Sequence, residues 1–72
     1  MENIKKLWAR VINKPMVVEI LAREYGLSES SVRTNWFSSW AIPEQYQNRV
    51  HEVLVNMIKS EINISKGLIN DK

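Results

Sequence analysis

The 72-residue sequence has no cysteine, only two glycines and two prolines, and a net charge of just +2 at neutral pH. Without cysteine, neither a disulfide framework nor a thiolate metal site can form, which favours an intracellular setting. No apolar run reaches the length of a signal-peptide core or of a membrane-spanning helix. The sequence therefore predicts a cytoplasmic protein with no membrane partner.

The sequence also offers little for catalysis. His51 is the only histidine, and it has no second ligand at metal-binding spacing. The serines of SESS have no base nearby in sequence, and no glycine-rich phosphate loop is present. We therefore expect neither an enzyme nor a cofactor.

Helical periodicity dominates what is present, and no segment alternates with period two. The predicted helices run from about Asn3 to Ile12, from Pro15 to Gly26, from Ser28 to about Ser38, and from Pro43 to about Asn63, where the last helix is expected to fray. Residues 64–72 are predicted to form a loosely packed turn or to stay mobile. The whole chain, residues 1–72, is predicted to be one small all-α domain of four to five helices.

The most informative segment lies at the junction of the second and third predicted helices. Ala22 is small enough to let the third helix approach, and Gly26 can take the positive φ that ends the second. Ser28 can cap the third helix, and Val32 directs that helix back onto the second. This spacing predicts a helix-turn-helix at about residues 15–38.

The stretch AREYGLSESSVRTNWF, followed by IPEQYQNRV, resembles the small Cro and CI-type regulators of temperate phages over roughly residues 15–58. The resemblance implies DNA contacts from Ser28, Glu29, Ser30, Arg33 and Thr34. Lys5, Lys6 and Arg10 would add backbone contacts if the first helix lies along the duplex. The family usually places an aromatic residue where this chain has Asn35, whereas here the aromatic is Trp36, one place later, which rotates the end of the helix relative to the family.

In size, composition and weak charge the chain is also similar to the modulator-of-repression antirepressors of lactococcal phages. That closer resemblance implies binding to the N-terminal, DNA-binding domain of a CI-type repressor. A homodimer seam along the fourth helix becomes plausible only if that helix continues past Met57 with an exposed apolar stripe. A monomer or a weak dimer is expected.

The aromatic residues favour a protein partner. Trp8 and Trp36 fit the inward faces of their helices, whereas Phe37 lies about 100° round from Trp36 and Trp40 lies at or past the helix end. At least one of Phe37 and Trp40 is therefore expected to be partly exposed, as anchors of protein interfaces are. The alternative is that both rings pack under the fourth helix against Tyr46 and Val50.

The distribution of charge along the chain also favours a protein partner. Residues 1–14 carry +3, from Lys5, Lys6, Arg10 and Lys14 against Glu2, whereas residues 15–43 carry −1, from Arg23 and Arg33 against Glu19, Glu24 and Glu29. A motif so poor in cations neutralises few phosphates, and its glutamates suit the basic surface of a repressor.

Two functions follow. The first is an antirepressor of a phage genetic switch that blocks operator binding by a CI-type repressor, with an interface formed by Tyr25, Glu29, Arg33, Trp36, Phe37 and Trp40. The alternative is a Cro-like repressor that reads operator DNA directly. DNA could be contacted by this chain alone or jointly with the repressor. A gel-shift experiment separates the antirepressor from the Cro-like repressor.

Overall fold

In a computed structural model the backbone is described from Glu2 to Asn70 and the side chains from Glu2 to Ile62. The elements are α1 (Glu2–Arg10), α2 (Lys14–Tyr25), α3 (Glu29–Ser31), a π-helical segment (Val32–Trp36) that continues α3, and α4 (Glu44–Asn70). Residues 2–70 contain no strand. The predicted all-α class is confirmed. We call α3 and the π-helical segment together the corner helix, residues 29–36.

The first helix is shorter than predicted. It ends at Arg10 rather than Ile12, and the backbone N–H of Val11 still donates to the carbonyl of Leu7 at 3.1 Å. Ile4 and Val11 are buried, but Ile12 is 82% exposed. The sequence pattern would place Ile12 on the same apolar face as Ile4 and Val11, and that interpretation is wrong, because the chain leaves the helical path before reaching Ile12.

A carboxylate from α4 holds the connector between α1 and α2. The side chain of Glu61 accepts from the backbone N–H of Ile12 at 3.1 and 3.2 Å and from that of Asn13 at 2.9 Å. These N–H groups have left α1 and cannot bond within it, so the carboxylate supplies their acceptor. Asn13 then caps α2 by accepting from the N–H of Met16 at 3.3 Å, and Pro15 lies in the first turn, as predicted.

The last helix, α4, is longer than predicted. It begins directly after Pro43 and continues to Asn70, so the expected fraying near Asn63 is not found. With a rise of about 1.5 Å per residue, a helix of this length spans about 40 Å, close to the longest molecular dimension of 43 Å. The prediction of a loose turn at residues 64–72 is wrong for the backbone of residues 64–70, and residues 71 and 72 lie outside the described part.

The hydrophobic core lies where α1, α2 and the corner helix meet the first half of α4. Its buried residues are Ile4, Val11, Val17, Val18, Leu21, Ala22, Val32, Trp36, Phe37, Ile42, Val50, Val53 and Leu54. In residues 2–70, no helix has both the length and the apolar character needed to cross a bilayer.

Candidate interaction surface

The corner between α2 and the corner helix has the geometry that the sequence predicts. Gly26 adopts φ 64° and ψ 34°, the left-handed conformation that glycine takes at little cost. The N–H of Leu27 donates to the carbonyl of Ala22 at 2.8 Å, and the N–H of Gly26 donates to that of Arg23 at 3.4 Å. These two bonds satisfy carbonyls at the end of α2, in the pattern of a Schellman motif.

The start of the corner helix is also as predicted. The hydroxyl oxygen of Ser28 accepts from the N–H of Ser31 at 3.1 Å. Val32 is fully buried and Ala22 is buried beneath it in the core. The motif residues proposed for DNA contact are all exposed, and we call this set the corner face: Ser28, Glu29, Ser30, Arg33 and Thr34. Lys5 and Lys6 of α1, which were proposed for DNA contact as well, are also exposed.

Beyond Ser31 the corner helix departs from the regular α-helix expected up to Ser38. Residues 32–36 are π-helical, and the N–H of Ser39 donates to the carbonyl of Thr34, five residues back, at 3.0 Å. In this wider turn, residues four and five apart face the same side, so Val32, Trp36 and Phe37 all point inward. Sequence reasoning assumed 100° per residue and therefore placed Phe37 off the inward face.

The expected exposure of Phe37 is accordingly wrong. Its side chain is 6% exposed and that of Trp36 is 5% exposed. Phe37 is thus buried, as the alternative held for it, and its ring lies on Trp8 of α1. Neither Trp36 nor Phe37 can therefore meet a partner in this conformation, and both leave the candidate interface.

Trp36 instead joins a cluster with two tyrosines. Its ring centroid lies 6.1 Å from that of Tyr25 and 5.6 Å from that of Tyr46, and the two tyrosine rings are 4.4 Å apart. Tyr25 is half-buried, so this predicted interface residue presents only part of its side chain to solvent. Partial burial and the neighbouring Glu24 carboxylate raise the pKa of the Tyr25 hydroxyl.

Trp40, the last predicted interface residue, is half-buried, which meets the expectation that one of the two rings stays partly exposed. It adopts φ 58°, a left-handed conformation rare for a bulky side chain. The N–H of Ala41 donates to the carbonyl of Asn35 at 2.7 Å across this residue. Trp40 thus occupies the place that glycine usually takes at a helix end.

The contacts of the Trp40 ring account for a tryptophan at this position. The ring lies perpendicular to that of Phe37, with centroids 5.8 Å apart and planes at 89°. The Nζ of Lys5 lies 5.6 Å from the Trp40 centroid, within range of a cation–π contact.

The sequence assigned three glutamates to a basic partner, and two of them form ion pairs within the chain. Glu24 binds Arg49 of α4 through contacts of 2.8 to 3.1 Å, and Arg49 also donates to Glu52 at 2.6 Å. The guanidinium holds the pKa of the Glu24 carboxyl below its usual value. Glu19 pairs with the largely exposed Arg23 at 3.3 Å.

Glu29 makes no ion pair with any side chain of residues 2–62. The negative charge available on the corner face is therefore that of Glu29 alone, offset by Arg33. Glu24 leaves the candidate interface, because two nitrogens of the Arg49 guanidinium donate to its carboxylate.

One apolar residue of the corner was missed by sequence reasoning. Leu27 follows Gly26 directly, and its side chain is 42% exposed. The signal available in the sequence was a leucine between the helix-ending Gly26 and the capping Ser28, where the chain leaves one helix before the next begins. Leu27 precedes the corner helix and Trp40 follows it, so the polar corner face has an apolar side chain near each end.

Other parts of the structure offer less. The side chains of residues 2–62 include no group of three or more His, Cys, Asp or Glu residues placed to hold a metal ion. His51 is exposed on α4. An open depression of about 240 Å³ between α2 and α4, floored by Ile20, Val53 and Met57, is lined by none of the candidate residues.

Compared with models of protein families, with curated proteins and with solved structures, the chain has no match.

Proposed function

We propose that the protein is an antirepressor of a phage genetic switch. In this proposal a helix-turn-helix, formed by α2 and the corner helix, binds the DNA-binding domain of a CI-type repressor and blocks its access to the operator. The observation that supports this most directly is the charge of the corner face. It carries one carboxylate, Glu29, and one guanidinium, Arg33, among three uncharged hydroxyl residues.

Such a face is poorly suited to bind a duplex unaided. Each phosphate neutralised by a cation contributes a slope of roughly −0.9 to the logarithm of affinity against the logarithm of salt concentration. Arg33 supplies one such contact, and Glu29 is repelled by phosphates. The corner face therefore lacks the charge that drives non-specific DNA binding.

The same face has features that suit a protein partner. Leu27 is exposed before the corner helix, and the half-buried Trp40 follows it. Apolar and aromatic side chains surrounded by polar ones are typical of interface anchors. The sequence placed Trp36 and Phe37 at the interface. They are buried instead, and they contribute by fixing the position of the corner helix.

Two glutamates, rather than the three that the sequence suggested, remain available to bind a repressor. Glu29 can accept from an arginine or lysine on the repressor's DNA-reading surface. Glu19 can do the same, because its pair with Arg23 is exposed and such pairs contribute little. Both would take the place of operator phosphates on the repressor.

A gel-shift experiment with repressor and operator DNA tests the proposal. Adding this protein is expected to remove the repressor–operator complex without a shifted band of its own. Glu29→Lys is expected to weaken this effect, because it replaces the carboxylate with a charge that the repressor surface repels. Glu44→Lys is the matched control, since Glu44 is also exposed and lies in the first turn of a helix. Equal loss in both variants would contradict the proposal.

The Cro-like alternative is favoured by one observation. Arg33 is exposed and makes no ion pair among residues 2–62, so its guanidinium is available to bond a guanine from the major groove. Tight and strongly salt-dependent binding of operator DNA by this chain alone, lost in Arg33→Gln, would establish that function instead.

A further inference from the structure

Large apolar side chains are exposed around one junction of the fold, where the connector between α1 and α2 meets α4. Ile12 of the connector is 82% exposed, Met16 in the first turn of α2 is 40% exposed, and Ile62 of α4 is 49% exposed. Glu61 joins these segments, because its carboxylate accepts from the backbone N–H groups of Ile12 and Asn13. We call Ile12, Met16 and Ile62 the apolar end. It lies at the start of α2, whereas the corner face lies beyond the end of α2.

The last part of α4 extends beyond this junction. α2 runs alongside α4 from the connector at Glu61 back to the pair of Glu24 with Arg49. α4 continues to Asn70, so residues 62–70 reach about 13 Å further along the helix axis. The radius of gyration, 13.2 Å, accordingly exceeds the value of about 11 Å expected of a compact domain of this length. We call residues 62–70 the projecting end of α4.

The projecting end does not cover the apolar end of its own molecule. The exposure of Ile12 and Met16 shows this directly. The physical reason is that α4 is one continuous helix from Glu44 to Asn70, which carries its last turns away from the connector. An apolar surface and a helix end that could cover it are therefore both present in one chain, but they cannot meet within it.

The helix ends involved carry opposite partial charges. α2 starts at the connector, and its first turn has no acidic residue to offset the positive end of the helix dipole. The last turn of α4 has no basic residue to offset the negative end of its own dipole. Contact between the end of one α4 and the start of another copy's α2 would bring these opposite charges together.

We propose that a second copy of this chain covers the apolar end, in a two-fold symmetric dimer. The two projecting ends would lie side by side and antiparallel, so that the last turn of each α4 reaches the connector of the other copy. Each copy then gives and receives the same contact, which closes the assembly at two chains. This differs from a seam along the whole of α4, because the first half of that helix already packs against α1 and α2.

The composition of the projecting end suits contact with a second copy. Its sequence, INISKGLIN, contains four aliphatic residues and one charged residue. Two-fold symmetry brings like charges towards each other, so a surface with little charge is required. At the junction itself, the carboxylate of Glu61 already accepts from backbone N–H groups. A strongly charged partner protein would find little to bind there.

Sedimentation velocity of the full chain tests the proposal, over a concentration series that spans the micromolar range expected of a small interface. Ile12→Lys is expected to weaken dimerisation about tenfold or more, because it places a charge in an apolar contact. Leu27→Lys is the matched control, since Leu27 is also an exposed aliphatic residue but lies at the other end of α2. Circular dichroism checks that both variants are folded.

Engineered thiols test the arrangement of the two copies, because the chain itself has no cysteine. In an equimolar mixture of Met16→Cys and Asn70→Cys, mild oxidation is expected to link the two variants to each other. This follows because the end of one α4 would lie beside the first turn of the other copy's α2. A parallel pair of α4 helices would instead link Asn70→Cys to itself.

A dimer that is lost in Ile12→Lys, kept in Leu27→Lys and cross-linked in the mixture supports the proposal. A chain that stays monomeric throughout the series would overturn it, as would equal loss in both lysine variants, loss only in Leu27→Lys, or self-linking of Asn70→Cys alone. The proposal does not rest on the proposed function. Failure of the protein to remove the repressor–operator complex, with dimerisation intact, would contradict the antirepressor function and leave the dimer standing.

Discussion

The ring of Trp8 lies flat on the ring of Phe37, with centroids 4.0 Å apart and planes inclined by 8°. This contact joins α1 to the end of the corner helix, 29 positions further along the chain. The Trp40 ring lies perpendicular to that of Phe37, with centroids 5.8 Å apart. Phe37 therefore contacts two tryptophans, and its 6% exposure places it in the core rather than at the surface.

Phe37→Ala is expected to destabilise the domain by about 3–5 kcal/mol, because it opens a cavity between two rings. A residue of the partner interface, where the sequence placed Phe37, would not show such a loss. Urea unfolding followed by circular dichroism measures the effect. If Phe37→Ala does not fold, the milder Phe37→Leu gives the same direction.

The control for this substitution is Ile12→Ala, at a side chain that is 82% exposed. Its effect on the free energy of unfolding should stay within about 0.5 kcal/mol. Equal stability of Phe37→Ala and Ile12→Ala would show that Phe37 is not part of the core.

The corner was predictable because its determinants are local. Gly26 ends α2 through its own backbone freedom, and Ser28 caps a helix that starts at the next residue. The inward direction of Phe37 was not predictable in the same way. It depends on the π-helical segment at residues 32–36, and the letters VRTNW have a composition that a regular α-helix accommodates equally well.

Two further contacts lay beyond sequence reasoning for a different reason. Arg49 and Glu24 are 25 positions apart, and Glu61 and Ile12 are 49 positions apart. Such pairs form only after α4 has packed against α2 and against the connector that precedes α2. The charge pattern alone therefore assigned Glu24 to a partner, although Arg49 of the same chain binds it.

A pair of substitutions at Trp40 separates backbone strain from ring packing. Trp40→Gly and Trp40→Ala both remove the ring and its contacts with Phe37 and Lys5. Because the residue has φ 58°, glycine should be the more stable of the two by about 1 kcal/mol. Thermal and urea unfolding of the two variants give the difference. An alanine variant as stable as the glycine variant would contradict the left-handed conformation.

The pair of Glu24 with Arg49 makes stability depend on pH. The folded-state pKa of Glu24 lies below the usual 4.5, chiefly because Arg49 hydrogen-bonds to the carboxylate. Its contribution is therefore complete above that usual value and is lost as the pH falls through the lower folded-state pKa. Glu24→Gln should show a smaller fall in melting temperature between pH 7 and about pH 3 than the unaltered protein. An unchanged fall would show that the pair contributes nothing.

Glu61 should stabilise the connector between α1 and α2. Replacing it with alanine leaves the N–H groups of Ile12 and Asn13 without their carboxylate acceptor. The free energy of unfolding is expected to fall by about 1 kcal/mol, a moderate amount because water can replace the lost acceptor. Ser60→Ala is the control at the neighbouring exposed position. Amide exchange at Ile12 and Asn13 should accelerate in Glu61→Ala alone.

Leu27 should matter for partner binding and not for folding. Its side chain is 42% exposed beside the corner face, so Leu27→Ser removes little packing. If the repressor covers it, losing this apolar contact should weaken repressor binding about tenfold, equivalent to about 1.4 kcal/mol. Ile12→Ser is the control, because Ile12 is also an exposed aliphatic residue but lies at the other end of α2. Calorimetric titration with the repressor domain measures both, and equal affinities would place the interface away from the corner.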